Sequence, residues 1–208
     1  MYIELKSITK TFKKNTVLDN ISIRFESGKV YGLKGKNGCG KTMLMRVICG
    51  LIRPSSGTVD INGSVLWKEM DVPQSIGTLI ENPSFIGGYT GYENLELLAS
   101  IKGKIKEEEI CVAMTKVGLE PYDKRKYRKY SLGMKQKLGI ACAVMEEPDI
   151  IILDEPINAI DEKGVELVRD LLDELREKDK IIIIACHDAE EMSILADEVI
   201  QMENGHIV

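Results

Sequence analysis

Gly35-Lys36-Asn37-Gly38-Cys39-Gly40-Lys41-Thr42 sets a glycine, four residues and then Gly-Lys-Thr, the spacing of a phosphate-binding loop. Each residue type has its own task in that chemistry. Glycines admit positive φ and let backbone N–H groups close on phosphate oxygens. A helix start adds unpaired donors and the positive end of its dipole. Lys41 has the reach for β- and γ-phosphates, and the Thr42 hydroxyl suits Mg²⁺. In this register Gly35, Asn37, Gly38, Cys39, Gly40, Lys41, Thr42 and Met43 line the phosphates. The apolar run Val30-Tyr31-Gly32-Leu33 precedes the loop, and Met43-Leu44-Met45-Arg46-Val47-Ile48 follows it at helical spacing. A strand, this loop and a helix in succession imply a nucleoside triphosphate as ligand.

A second acidic site stands far along the chain. Asp149-Ile150-Ile151-Ile152-Leu153-Asp154-Glu155-Pro156 is an apolar strand that ends in two carboxylates. Asp154 at the strand's carboxyl end can hold Mg²⁺ directly or through water. Glu155 then faces the γ-phosphate and takes a proton from water, assistance typically worth about 10²–10⁴-fold in rate.

These residues must be carried by elements that bring them together. Residues 1 to about 80 are strand-rich: Thr16 to Phe25 alternates polar with apolar, and Ser56 to Gly63 is a strand bounded by turn residues. From about 83 the period becomes helical, with apolar positions at Leu95, Leu97, Leu98 and Ile101 and again at Ile110, Val112, Ala113 and Val117. Beyond 148 the order is strand, helix, strand, helix: Ile150–Leu153, Glu162–Glu177, Ile181–Cys186, Ala189–Leu195. That alternation predicts an α/β fold: a P-loop core with a mainly parallel sheet, a small antiparallel β region and an inserted α-helical segment. The expected organisation is one domain over 1–208, with 1–82 and 141–208 as core and β region and about 83–140 as the helical insert.

Composition bounds the class. Apolar residues at 44% and charged residues at 29% describe an ordinary globular protein. No apolar run approaches the roughly 18 residues of a membrane span, and Met1 to Lys6 lacks the pattern of a secretion signal. Cys39, Cys49, Cys111, Cys142 and Cys186 are scattered without metal-ligand spacing, as free thiols of a reducing compartment would be. A cytoplasmic location is expected. The formal charge of −5 weighs against bulk nucleic-acid binding. Lys124 to Tyr130, basic with interleaved tyrosines, suits either an RNA-binding patch or a solvated face. No nucleic-acid partner is expected.

Tyr130-Ser131-Leu132-Gly133-Met134-Lys135-Gln136 resembles the signature motif of ABC-type ATPases, commonly Leu-Ser-Gly-Gly-Gln, and it lies about twenty residues before the acidic strand as it does there. It departs from that form at Leu132 and Met134 and retains Ser131 and Gly133. Other features of the family follow in order. Phe12 matches the aromatic that stacks on adenine, Ala159-Ile160-Asp161 resembles the D-loop, and His187 matches the switch histidine that senses the γ-phosphate. The resemblance covers essentially the whole chain. It implies an Mg²⁺-dependent ATPase, the nucleotide-binding subunit of an ABC transporter, peripheral on the inner face of the membrane through a separate transmembrane permease. Catalytic roles fall to Glu155, His187 and Lys41, and metal contacts to Thr42, Asp154 and Glu81. Ser131 and Gly133 act across an interface on the ATP of a second copy or of a related chain. An alternative is a soluble ABC-type ATPase acting on ribosomes or DNA, though the paired domains or split motifs of such relatives are not evident here.

Three departures accompany the match. Ile157 stands where threonine is common, Lys34 and Lys36 add charge beside the phosphate loop, and Glu81 replaces the usual glutamine. A glutamate at this place resembles the ATPase subunits of bacterial bacitracin- and lantibiotic-resistance exporters. The stretch from Glu81 to Tyr92 is the expected permease contact. Export of antimicrobial peptides or drugs is the implied role.

Overall fold

The computed structural model describes residues 1–186 and 188–208. In chain order the first half comprises β1 (Tyr2–Phe12), β2 (Asn15–Glu26), β3 (Lys29–Lys34), α1 (Lys41–Ile48), β4 (Ser56–Ile61), β5 (Ser64–Val65), β6 (Ile76–Leu79) and α2 (Gly91–Lys102). The second half adds α3 (Glu107–Lys116), α4 (Leu132–Val144), β7 (Ile150–Asp154), α5 (Glu162–Glu177), β8 (Ile181–Ala185), α6 (Ala189–Leu195), β9 (Glu198–Glu203) and β10 (His206–Ile207).

Isoleucine-rich strands with no polar face demand cover on both sides, and a parallel sheet supplies it. β7 and β8 are buried along their whole length. They lie inside a six-stranded sheet ordered β10-β9-β3-β8-β7-β6, in which every pairing but the β9–β10 hairpin is parallel. The amphipathic early strands behave differently. β1, β2, β4 and β5 form an antiparallel sheet ordered β2-β1-β4-β5.

Strand periodicity divides the interior in two. Ile150, Ile152, Ile181 and Ile183 face the antiparallel sheet and α1, meeting Leu5, Phe25, Leu44 and Ile48. Ile151, Leu153, Ile182 and Ile184 face the opposite way, toward α5 and the helical segment, meeting Leu138, Leu172, Tyr127 and Tyr130. The parallel sheet is the common wall. Within the helical segment α2 begins with a capping box: Thr90 accepts from the Glu93 N–H at 3.1 Å, while the Glu93 carboxylate accepts from the Thr90 N–H at 2.6 Å. That bond and the Lys126 ammonium hold the Glu93 carboxyl below its ordinary range. Burial pushes the Cys49 thiol up to about 12 and Cys142 up to about 11, so both stay protonated thiols at neutral pH.

α4 runs to Val144 and lies on β6 and β7, so one helix carries the motif at 130–136 into the core. Gly77 of β6 permits that approach. A Cβ there would press into the Ala143 carbonyl oxygen and come within 2.8 Å of Pro148 Cγ. Gly77→Ala is expected to cost about 1–3 kcal/mol, the usual penalty of overpacking. At this chain length the thermal midpoint then falls by roughly 2–4 °C per kcal/mol. An unshifted midpoint by circular dichroism would show that α4 can retreat from β6 without loss.

Candidate nucleotide-binding site

Sheet register brings the motif residues together. Leu33 at the end of β3 and Asp154 at the end of β7 both pair with Ala185 of β8. The loop leaving β3 therefore rises beside the acids that close β7, at the carboxyl ends of the strands where open α/β sheets bind ligands. Gly40 is the N-cap of α1; its φ of 113° favours glycine, and no side chain caps the helix. Its first turn carries no acid, which leaves the amides facing the cleft for an anion. Gly35 sits so close to Met202 and Cys39 that a Cβ would meet the Met202 carbonyl oxygen and lie 2.6 Å from Cys39 Sγ.

Lys41 is buried under this loop. Its Nζ donates to the Gly35 carbonyl at 2.6 Å and the Lys36 carbonyl at 3.3 Å, and lies 4.0 Å from Cys39 Sγ. Thr42 Oγ1 donates to Asp154 Oδ2 at 2.7 Å. A cleft of about 360 Å³ is lined by Asn37, Gly38, Gly40, Lys41, Thr42, Met43, Val17, Arg46, Glu81, Asp154 and Glu155. A larger groove of about 650 Å³ beside α3, lined by Glu107, Cys111, Val112 and Tyr122 among others, contains none of the motif residues.

Glu155 holds a left-handed φ of 51°. Its N–H donates to the Ala185 carbonyl at 2.8 Å, and its own carbonyl accepts from Gln136 Nε2 at 2.8 Å. His187 lies outside the described residues. Glu81, also left-handed at φ 62°, pairs its Oε1 with Arg46 Nη2 at 2.6 Å. Phe12 ends β1 on the surface, 44% exposed, with Lys10 Nζ 4.8 Å from its ring centroid, and Val17 rather than Phe12 borders the cleft. Lys34 and Lys36 line a neighbouring recess with Asn37 and Gln201.

Ser131 and Gly133 of the motif at 130–136 do not line this cleft, whereas Gln136 reaches the Glu155 carbonyl behind it. Ser131 is exposed and caps α4, its Oγ accepting from the Met134 N–H at 3.2 Å. Gly133 packs on the loop at 159, where a Cβ would sit 2.5 Å from the Ala159 carbonyl oxygen. The tyrosines of the neighbouring basic run are structural. Tyr127 and Tyr130 are each 6% exposed; Tyr127 donates to the Pro83 carbonyl at 2.7 Å, and Tyr130 accepts from the Gly91 N–H at 3.2 Å. Neither ring is presented for stacking on a base.

The donor set near Thr42 fits Mg²⁺. A hydroxyl and a carboxylate, 2.7 Å apart and facing the phosphate loop, are hard oxygen ligands. Among the described residues no cluster of three or more His, Cys, Asp or Glu side chains could hold a metal alone. Mg²⁺ takes just one or two protein oxygens and completes its shell with phosphates and water.

Residues 18–158 match the family model described as ABC transporter. The chain belongs to the ABC transporter family. It is the ATP-binding, ATP-hydrolysing subunit that powers a transporter. It is 46% identical over 205 residues to the uncharacterized ABC transporter ATP-binding protein YybJ of Bacillus subtilis (strain 168), covering 99% of this chain and 94% of that one. It is 39% identical to the bacitracin transport ATP-binding protein BcrA of Enterococcus faecalis, covering 99% of this chain and 68% of BcrA. The lantibiotic transport ATP-binding protein SrtF of Streptococcus pyogenes is 34% identical, with 99% and 89% covered. Among solved structures, the ATP-binding cassette MJ0796, a dimer in a post-hydrolysis state bound to ADP and Pi, superposes with a TM-score of 0.88 at 25% identity, covering 99% of this chain and 96% of that one. No helix among the described residues of the ABC chain is long and apolar enough to cross a membrane.

Sequence reasoning assigned no role to Val17, Arg46 or Gln136, although Arg46 lies in the helix after the phosphate loop and Gln136 in the signature-like motif. Arg46 was open to discovery, since it stands one helical turn after Thr42 and so shares its face. Gln136 had a fainter signal, a polar residue on a helix otherwise rich in apolar ones. Ser131→Ala removes the cap of α4 and is expected to destabilise the nucleotide-free ABC chain by about 1 kcal/mol, whereas Ser131→Asp retains the cap. Chemical denaturation of both variants checks this; equal stability of Ser131→Ala and the parent would mean that water serves the Met134 amide equally well.

Proposed function

We propose that this ABC ATPase hydrolyses ATP with Mg²⁺ in a sandwich of two ATPase chains, held at the inner face of the membrane by a separate permease. The observation that carries this is the Thr42–Asp154 contact at 2.7 Å beside the buried Lys41 ammonium. Lys41 exchanges the Gly35 and Lys36 carbonyls for β- and γ-phosphate oxygens, and the amides at the start of α1 bind the same phosphates. Thr42 and Asp154 hold the metal, which when bound neutralises phosphate charge as it builds in the transition state. Glu155 takes the proton from the water whose oxygen attacks the γ-phosphorus, and the bond from that phosphorus to ADP breaks. His187 contacts the γ-phosphate, and Phe12 stacks on adenine.

Ser131 and Gly133 serve the nucleotide of the facing chain, which agrees with the exposure of Ser131 away from its own cleft. The dimeric solved relative supports that arrangement. Ile86 and Tyr89, 47% and 43% exposed, give the stretch from Glu81 to Tyr92 apolar surface for the permease. The names of the bacitracin and lantibiotic relatives support export of antimicrobial peptides as the transport task.

Glu155→Gln is expected to keep ATP binding and nearly abolish turnover, because an amide accepts no proton from water. With nucleotide trapped, two chains stay joined, and size-exclusion chromatography with ATP and Mg²⁺ reads the dimer. A monomer with tightly bound ATP at high protein concentration would count against the sandwich.

Glu81 supplies a second test. Its carboxylate now answers Arg46, and it can turn to Mg²⁺ through oxygen. Glu81→Gln is expected to keep ATP binding, shift the Mg²⁺ dependence, and weaken permease-coupled hydrolysis more than basal hydrolysis. If Glu81→Ala changed neither the Mg²⁺ titration nor coupled activity, Glu81 would be a plain surface residue.

A further inference from the structure

Gln136 sits in the second turn of α4 and is 7% exposed. Its Nε2 donates to the Glu155 carbonyl at 2.8 Å and lies 3.4 Å from the Pro156 carbonyl. These two carbonyls belong to the turn that carries the acid. Glu155 holds φ 51°, a left-handed conformation that is uncommon and strained for a residue with a Cβ. The residue is bonded on both sides: the N–H to Ala185 on β8, and the carbonyl to Gln136 on α4. A side chain's direction follows from its backbone, so whatever holds this turn aims the carboxylate.

The contact is one of three along the same pair of segments. Gly133 lies against the Ala159 carbonyl, and Lys137 Nζ donates to Asp161 Oδ1 at 2.7 Å. Residues 133–137 are thus laid along 155–161, with Gln136 at the acid.

We propose that Gln136 is a positioning residue that aims the Glu155 carboxylate by donating to the Glu155 and Pro156 carbonyls. The inference rests on Glu155 acting as the base. The chemistry requires a donor: two carbonyl oxygens face the position, and an acceptor there repels them.

Two near-isosteric variants separate this from a packing role. Gln136→Met keeps length without polarity, and Gln136→Glu keeps shape while replacing the donor by a carboxylate. Both are expected to lower kcat for ATP hydrolysis by the full chain with Mg²⁺ by roughly 10–100-fold, with the ATP Kd within about threefold of the parent. In Gln136→Glu the buried carboxyl regains an O–H donor on protonation, so its rate relative to the parent rises as pH falls. For Gln136→Met the same ratio stays flat. General loss of structure would not produce that split. Hydrogen exchange at the Glu155 amide, read without nucleotide, is expected to quicken in both variants while strand β7 stays protected.

A flat ratio for Gln136→Glu, a kcat within about twofold of the parent in either variant, or unchanged exchange at Glu155 would each overturn the positioning role. Glu155→Gln is measured alongside. Its loss of turnover together with parental rates in the Gln136 variants removes only the positioning role, whereas parental turnover in Glu155→Gln removes the base assignment itself.

Discussion

Ala185 is the level at which the molecule is built. Leu33 pairs with it from one side and Asp154 from the other, so the loop at 35–42 and the Asp154 carboxylate emerge from strands that flank β8 at equal height. The 2.7 Å contact between Thr42 and Asp154 is possible only because of that register. A slip of one residue on β7 would turn Asp154 away and place Leu153 on the wrong core face. The isoleucines of β7 and β8, buried on both faces, are what make such a slip costly. Register, and with it the site, is therefore held by apolar packing some distance from the chemistry.

Electrostatics at the cleft are balanced within the chain. Lys41, buried under the loop, is met by two backbone carbonyls, and Arg46 by the Glu81 carboxylate. Asp154 receives the Thr42 hydroxyl. Lys41, Thr42, Arg46, Glu81 and Asp154 line one cleft, and under the proposed function phosphate or a divalent cation would displace the partners they now hold. Binding then exchanges internal contacts for ligand contacts rather than uncovering bare charge, which keeps the desolvation cost of the polar floor low.

α4 joins regions that its sequence position suggests are separate. It begins at an exposed cap on Ser131, passes Gln136 behind the turn at Glu155, and ends against β6 and β7. The small residues Gly77, Gly133 and Gly139 let it approach backbone and side chains closely. A helix packed this tightly moves as a body, since close-packed interiors transmit displacement rather than absorb it. Under the proposed sandwich, such a body would link the end of α4 at Ser131 to the turn at Glu155.

Much of this was legible in the residues alone. The loop from Gly35 to Thr42, the strand ending at Asp154 and Glu155, and the helix from Glu162 to Glu177 follow from local pattern, because glycine geometry, strand burial and helical period are properties of neighbouring residues. The ordered motifs identified the family for the same reason. What tertiary structure decided was which distant groups meet. No local signal pairs Arg46 with Glu81, seats Tyr127 and Tyr130 in the core instead of on a basic surface, or directs Gln136 to the carbonyls of Glu155 and Pro156. Those contacts join residues 19 to 44 positions apart. They depend on strand order and on the path of α4, which are settled only when two apolar cores close on opposite faces of one sheet.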